Sequence, residues 1–231
     1  MRESPLRVYP WGNPMPVQQA RARSRQQRIL RAAADVIARR GFRDAAVDEI
    51  AREAQTSKGG VYFHFPGKEA ILLALLDHTA GLLRAKVDTA MAAQDDPVAK
   101  AEAALHELLR VMAKHRTLAR VFALEATAAG PKVQDKVTHI EDEFSDLIRD
   151  QFDLAIAQGA IEPIDTTVAA QAWMGMLNAV ILRWASGSDR TSLEAKYEPL
   201  RTLLLRSIGA QPTATRPTTA ALSHGDERPG A

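Results

Sequence analysis

Between Gln18 and Gly209 apolar residues recur at i, i+3 and i+4, the rhythm of helices buried on one side. Ile29, Ala33, Val36 and Ile37 share one face of a first predicted helix, over about residues 24–40, which Gly41 stops. Two short helices follow, Val47–Ala54 and Lys58 to about Phe63, separated by Gln55-Thr56-Ser57. Pro66-Gly67 interrupts the pattern before a long helix from Lys68 to about Met91. Pro97 opens a fifth, to about His115, and Thr117 a sixth, to Ala129. Gly130-Pro131 opens a seventh, to about Gln158, while Asp165-Thr166 caps an eighth, to Ala185, and Ser192 a ninth, to about Ile208. With no convincing strand, the expectation is an all-α chain of about nine helices. Residues 1–17 and 210–231 are Pro-rich or Pro/Thr/Ala-rich without apolar periodicity, and read as disordered. The interior divides into a small N-terminal unit, 18–70, and a larger helical body, 71–209.

At 231 residues the chain is long enough to bury a stable core without staples, in one or two domains. It contains no cysteine, which excludes disulfides, thiolate metal sites and thiol nucleophiles, and fits a cytoplasmic setting. No apolar run reaches membrane-spanning length, and residues 1–20 have no export-type apolar core. The formal net charge of +2 hides an asymmetry. Eight arginines and a single acid, Asp35, lie between Gln18 and Arg43, so the rest of the chain is net negative. A basic end on an acidic body points to a polyanion partner at that end.

The chemistry concentrates in Val47–Phe65, VDEIAREAQTSKGGVYFHF. Two short helices around a three-residue polar turn form a helix-turn-helix, the second helix sized to enter a DNA major groove. Val61 is its inward anchor over Ile50 and Ala51, leaving Ser57, Lys58, Gly59, Gly60, Tyr62 and His64 outward. The small residues allow close backbone approach, Lys58 can reach a guanine edge or a phosphate, and Tyr62 and His64 can donate to phosphates. Lys68 opens a helix whose free amides also attract phosphate. The arginines of the first helix, Arg25 among them, supply a flanking cationic arm.

The run from Ser57 through Val61-Tyr62-Phe63-His64-Phe65 to Lys68-Glu69, with Ile50-Ala51 before it, resembles the signature of the TetR-type family of transcriptional repressors, over about residues 24–76. That resemblance implies a homodimer that binds a double-stranded operator through N-terminal heads and a small molecule in its helical body. It places operator contacts on Ser57, Lys58, Gly60, Tyr62, His64 and Lys68, and on Ala46 and Val47, which open the second helix. Four positions depart from the family pattern. Gln55-Thr56 stands for a usual Gly-Val, so the turn must form without glycine's freedom. Ala46 lacks the usual hydroxyl, and Gly60 stands where Thr or Ala is frequent.

In the body, the resemblance implies a pocket walled mainly by the fourth to eighth helices. Its candidates are Met112, Phe122, Glu125, Phe144, Trp173, Met176, Asn178 and Arg183, which would suit a mostly hydrophobic ligand. The broadly apolar eighth and ninth helices suggest a four-helix dimer interface through Trp173, Leu177, Val180, Ile181, Trp184, Tyr197, Leu200 and Leu204. No nucleophile elbow, phosphate loop or dinucleotide fingerprint is present, so neither catalytic residues nor a cofactor are expected. Glu102/His106 and His139/Glu143 have helical spacing but read as ordinary surface pairs rather than a metal site. The expected function is a sequence-specific, ligand-released repressor. The alternative is a helical adaptor that keeps a helix-turn-helix but reads no operator.

Overall fold

The computed structural model describes residues 17–126, 128–189 and 191–210, with side chains from residue 22 onward. Apart from Val17 and Ala210, the two terminal segments read as disordered lie outside the described residues. Among the described residues the chain is helical throughout: α1 Val17–Arg40, α2 Val47–Glu53, α3 Lys58–His64, α4 Lys68–Ala92, α5 Pro97–Lys114, α6 Arg116–Arg120, α7 Pro131–Ala157, α8 Thr166–Ala185 and α9 Leu193–Ser207. The all-α architecture is as the periodicity indicates. α1, however, begins seven residues before the predicted Ser24. Gln18–Arg23 carry no apolar rhythm to read, but Gln, Ala and Arg are good helix formers and extend it.

Capping fixes most boundaries. The Asp96, Asp165 and Ser192 side chains accept from Ala99, Val168 and Ala195 amides at 2.8, 3.0 and 3.2 Å, closing the first turns of α5, α8 and α9. Gly41 ends α1 with φ 82°, a left-handed conformation that favours glycine. The sixth helix departs from expectation. α6 is one short turn that passes into a π-helical turn, Val121–Glu125, closed by the Ala126 amide on the Val121 carbonyl at 3.0 Å. The wider turn offsets the phase of the residues that follow it.

α1, α2 and α3 form a small head in which Ile29, Val36, Ile37, Ile50, Ala51 and Val61 are buried together. α1 also packs on α4 and α6. In the body α4 and α7 flank α5, α8 lies on α7, and α9 closes against α5 and α8. Arg201 of α9, only 5 % exposed, forms a 2.7 Å ion pair with Glu102 of α5. Glu102 is thereby removed from its sequence neighbour His106, whose ring packs edge-on against Tyr197.

Gln55 is the one described non-glycine residue with positive φ, at 53°. The turn therefore forms where the family pattern has glycine, but in a backbone conformation that costs an L-residue on the order of 1 kcal/mol. Gln55→Gly is expected to raise unfolding stability by about 0.5–1 kcal/mol in urea titration, because glycine adopts this conformation without strain and the replaced side chain is exposed. A loss of stability would show that the turn is not strained.

Candidate operator interface and ligand cavity

The outer face of α3 is assembled by its own cap. Ser57 Oγ accepts from the Gly60 amide at 3.0 Å, setting the helix start, while Val61 is fully buried beneath. Lys58, Gly59 and Tyr62 are exposed, and Gly60 is half-buried. A Cβ on Gly60 would meet Thr56 Oγ1 at 2.5 Å, so the two departures from the family pattern, Thr56 and Gly60, accommodate one another. Lys58 Nζ lies 3.0 Å from Asp48 Oδ1, an exposed pair that must open for the ammonium to reach DNA. Ala46 is exposed and Val47 half-buried at the start of α2, and Arg25 is exposed on α1.

Phe63, which is not among the outward residues expected from sequence, is 82 % exposed. Its signal lay in the period of α3, where two positions beyond the inward Val61 is the outer face. Lys68 also differs from expectation. Its ammonium donates to the carbonyls of Phe42 at 2.8 Å, Arg43 at 2.5 Å and Ala45 at 3.4 Å, and lies 4.9 Å from the Phe42 ring. All three ammonium hydrogens are thus used inside the head, leaving none for a phosphate. Arg39 likewise grips Glu53, at 2.5 and 3.2 Å, tying α1 to α2.

His64 is half-buried, and its buried Nε2 has no partner among the described residues. Burial, followed by the nearby charge of Arg25, lowers its pKa below the ordinary imidazole value. It is therefore neutral in the free protein at neutral pH.

The body holds a partly open cavity of about 250 Å³ between α4, α5, the π-helical turn, α7 and α8. Of the predicted pocket residues, Met112, Phe122, Phe144 and Asn178 line it, joined by Leu108, Ala123 and Glu141. Asn178 Nδ2 donates to Glu141 Oε1 at 2.8 Å, linking α8 to α7 in the cavity wall. Trp173 lies deeper, only 1 % exposed, its Nε1 donating to Ser207 Oγ at 3.1 Å and its ring edge-on to Phe152. Met176 is half-buried away from the cavity and Arg183 is exposed at the end of α8. Glu125 faces the head instead, where its Oε2 accepts the Phe42 amide at 2.8 Å.

The apolar faces expected to pair two subunits are core in the single chain. Trp173, Leu177, Ile181, Trp184, Leu200 and Leu204 are all buried, with Val180 and Tyr197 packed at its margin. Burying such faces within the chain already removes their apolar surface from water, leaving little for a partner. Outward on α8 stand Val168, Ala172, Gly175, Ala179 and Leu182, of which Ala179 and Leu182 also line the cavity at its open side.

An exposed outer face of α3 on a helix-turn-helix, beside the arginines of α1 and joined to a helical body with an apolar cavity, has the form of a ligand-binding transcriptional regulator. The pattern of bacterial regulatory proteins of the tetR family matches residues 29–75, and that of the tetracyclin repressor-like C-terminal domain matches residues 94–206. The chain belongs to this family and is a DNA-binding transcriptional regulator. It is 24 % identical over 187 residues to the fatty acid metabolism regulator protein of Bacillus subtilis, covering 80 % of this chain and 96 % of that one. It is 29 % identical over 189 residues to the regulator RutR of Escherichia coli K12, covering 79 % and 81 %. The solved structure of FadR from Bacillus subtilis with stearoyl-CoA has the same fold, with TM-score 0.74 and 23 % identity over 79 % of this chain and 98 % of that one.

His64 gives the interface a pH signature. Operator phosphate beside it would favour the imidazolium, so binding should take up a proton and tighten between about pH 7.5 and pH 5.5. In the free protein the sign is opposite: a depressed pKa means stability is lost as pH falls below the ordinary value of 6.5. Operator affinity measured across this range should lose that proton uptake in His64→Gln. Identical pH profiles would dismiss His64 as a phosphate contact.

Proposed function

We propose that this regulator is a homodimeric repressor, working in the cytoplasm, that a small, mostly hydrophobic inducer releases from a palindromic operator. One observation carries the reading: cavity and head share the π-helical turn. Phe122 and Ala123 border the cavity, and Glu125, two residues on, holds the Phe42 amide of the head. α4 adds a second connection, from Lys68 under the same Phe42 to Leu83 in the cavity wall. A ligand that moves this wall moves the head, provided that it binds the two head positions with different affinity. The operator contacts are Arg25, Ala46, Val47, Ser57, Lys58, Gly59, Gly60, Tyr62 and His64, to which the exposure of Phe63 adds an apolar contact in the groove. Lys68 acts from within, by holding the loop that precedes α2.

The dimer is proposed through the outward side of α8 rather than its buried side. Val168, Ala172, Gly175, Ala179 and Leu182 recur every three to four residues, Val168 and Leu182 are 59 % and 40 % exposed, and a Cβ at Gly175 would meet nothing within 4 Å. Small residues between two larger ones allow close helix approach. A two-fold axis there would set two α3 helices to read half-sites about 34–36 Å apart. The homology to a fatty acid metabolism regulator, and the stearoyl-CoA complex of a protein of the same fold, support an acyl-type or comparably apolar inducer.

Footprinting on the promoter flanking the protein's own gene, with unrelated competitor DNA, is expected to show a protected palindrome. Protection should disappear when Lys58 and Tyr62 are both replaced by alanine, with the fold and dimer retained. Binding no stronger than to the competitor, there and in a genome-wide selection of fragments, would favour the adaptor reading. In Glu125→Ala the cavity should still take its ligand, while the ligand's effect on operator affinity falls several-fold, since the removed charge-assisted hydrogen bond contributes about 1.5–3 kcal/mol. Full induction in that variant would rule out the π-helical turn as the connection.

A further inference from the structure

Among the described residues the cavity has a single ionisable lining residue, Glu141, set among apolar side chains and the amides of Gln134 and Asn178, and no described Lys, Arg or His lines it. Asn178 occupies one Glu141 oxygen, and no described side chain donates to the other, which keeps solvent access at the cavity wall. Burial, then the charge of Asp142, pushes the Glu141 carboxyl above its ordinary value, and the bond from Asn178 offsets only part of this. Glu143 extends the acidic run, although it is paired with His139 at 3.2 Å. The wall therefore presents an under-compensated acceptor in a negative local field. Its neutral donors are few: the amide groups of Asn178 and Gln134.

We propose that the cavity selects an apolar ligand presenting a hydrogen-bond donor, a hydroxyl or a protonated amine, to Glu141, and rejects a ligand bearing a free carboxylate there. The inference rests on the reading of this cavity as the ligand site, and it narrows the ligand class. An apolar body gains by burial against Leu83, Leu108, Met112, Phe122, Ile140 and Phe144 whatever its polar end. The polar end decides the rest. An ammonium or hydroxyl satisfies the vacant carboxylate oxygen, and a cation also relieves the cost of keeping Glu141 charged in a half-buried site. A carboxylate meets like charge with no cation to screen it, and must either take up a proton or leave the wall.

Three ligands of one chain length separate the terms: decylamine, decanol and decanoate, titrated against the full-length protein at about pH 7.5 with tryptophan fluorescence, Trp173 and Trp184 serving as reporters. Decylamine should bind at least about tenfold more tightly than decanoate, with decanol between, as expected for a hydrogen bond to a charged group. In Glu141→Gln, which keeps the size and the bond from Asn178, decylamine should weaken by about tenfold and decanoate strengthen, closing the gap. Decanoate binding as tightly as decylamine, or a gap unchanged in Glu141→Gln, overturns the proposal alone. Failure of all three to bind, or binding retained by a folded Ala123→Phe variant that fills the cavity, removes the cavity as ligand site and the proposal with it.

Discussion

Phe42 is grasped from both ends of its backbone. Its amide is held by the Glu125 carboxylate of the body, and its carbonyl by the Lys68 ammonium at the foot of α4. Both are charge-assisted bonds across long sequence separations, of a kind that contributes about 1.5–3 kcal/mol each. The buried Phe42 ring, under Lys68, anchors the loop that delivers the chain into α2. The orientation of α2, and through it of α3, therefore depends on two residues outside the helix-turn-helix. The clasp acts together with the packing of α1 on α4 and α6 to fix α3 relative to the body, because a seven-residue helix has no stability of its own.

The same constraint explains why basic residues in the head do different work. Arg39 and Arg40 are committed to Glu53 and Glu49, closing α1 on α2, and Lys68 is committed to carbonyls. Arg25 stays on the surface, where its charge also lowers the pKa of the half-buried His64. Charge in the head thus divides into cations that hold it together and cations, such as Arg25, that stay exposed on its surface. Lys58 stands between the two groups, paired with Asp48 in the free protein yet exposed enough to exchange that partner for DNA.

The helix-turn-helix was legible in the sequence because its geometry demands particular residue types at fixed offsets: a capping Ser57, an inward Val61, glycines where the backbone approaches DNA. The unusual turn at Gln55 was legible only through the family resemblance, which has glycine there; its φ of 53° comes from the structure. What the sequence left open are matters of tertiary pairing. The partners of Lys68 and Glu125 lie 26 and 83 positions away, and no local pattern specifies them. α8 defeated the reading for another reason. It is apolar over most of its circumference, so periodicity does not decide which side faces inward; Trp173, Met174, Leu177, Ile181 and Trp184 went into the core, and Val168, Ala172, Gly175, Ala179 and Leu182 outward. Glu141, lying next to Ile140 on α7, gave no sign that it would border the cavity.

The central claim is that occupancy of the cavity reaches the DNA-reading head through the Phe42 clasp. Hydrogen exchange at the Phe42 amide tests it most directly, because that proton is the one Glu125 holds. The account predicts slow exchange in the free and operator-bound protein, and markedly faster exchange once a ligand that weakens operator binding fills the cavity. Equal protection with and without such a ligand would contradict it, and would place the connection between cavity and operator elsewhere in the fold.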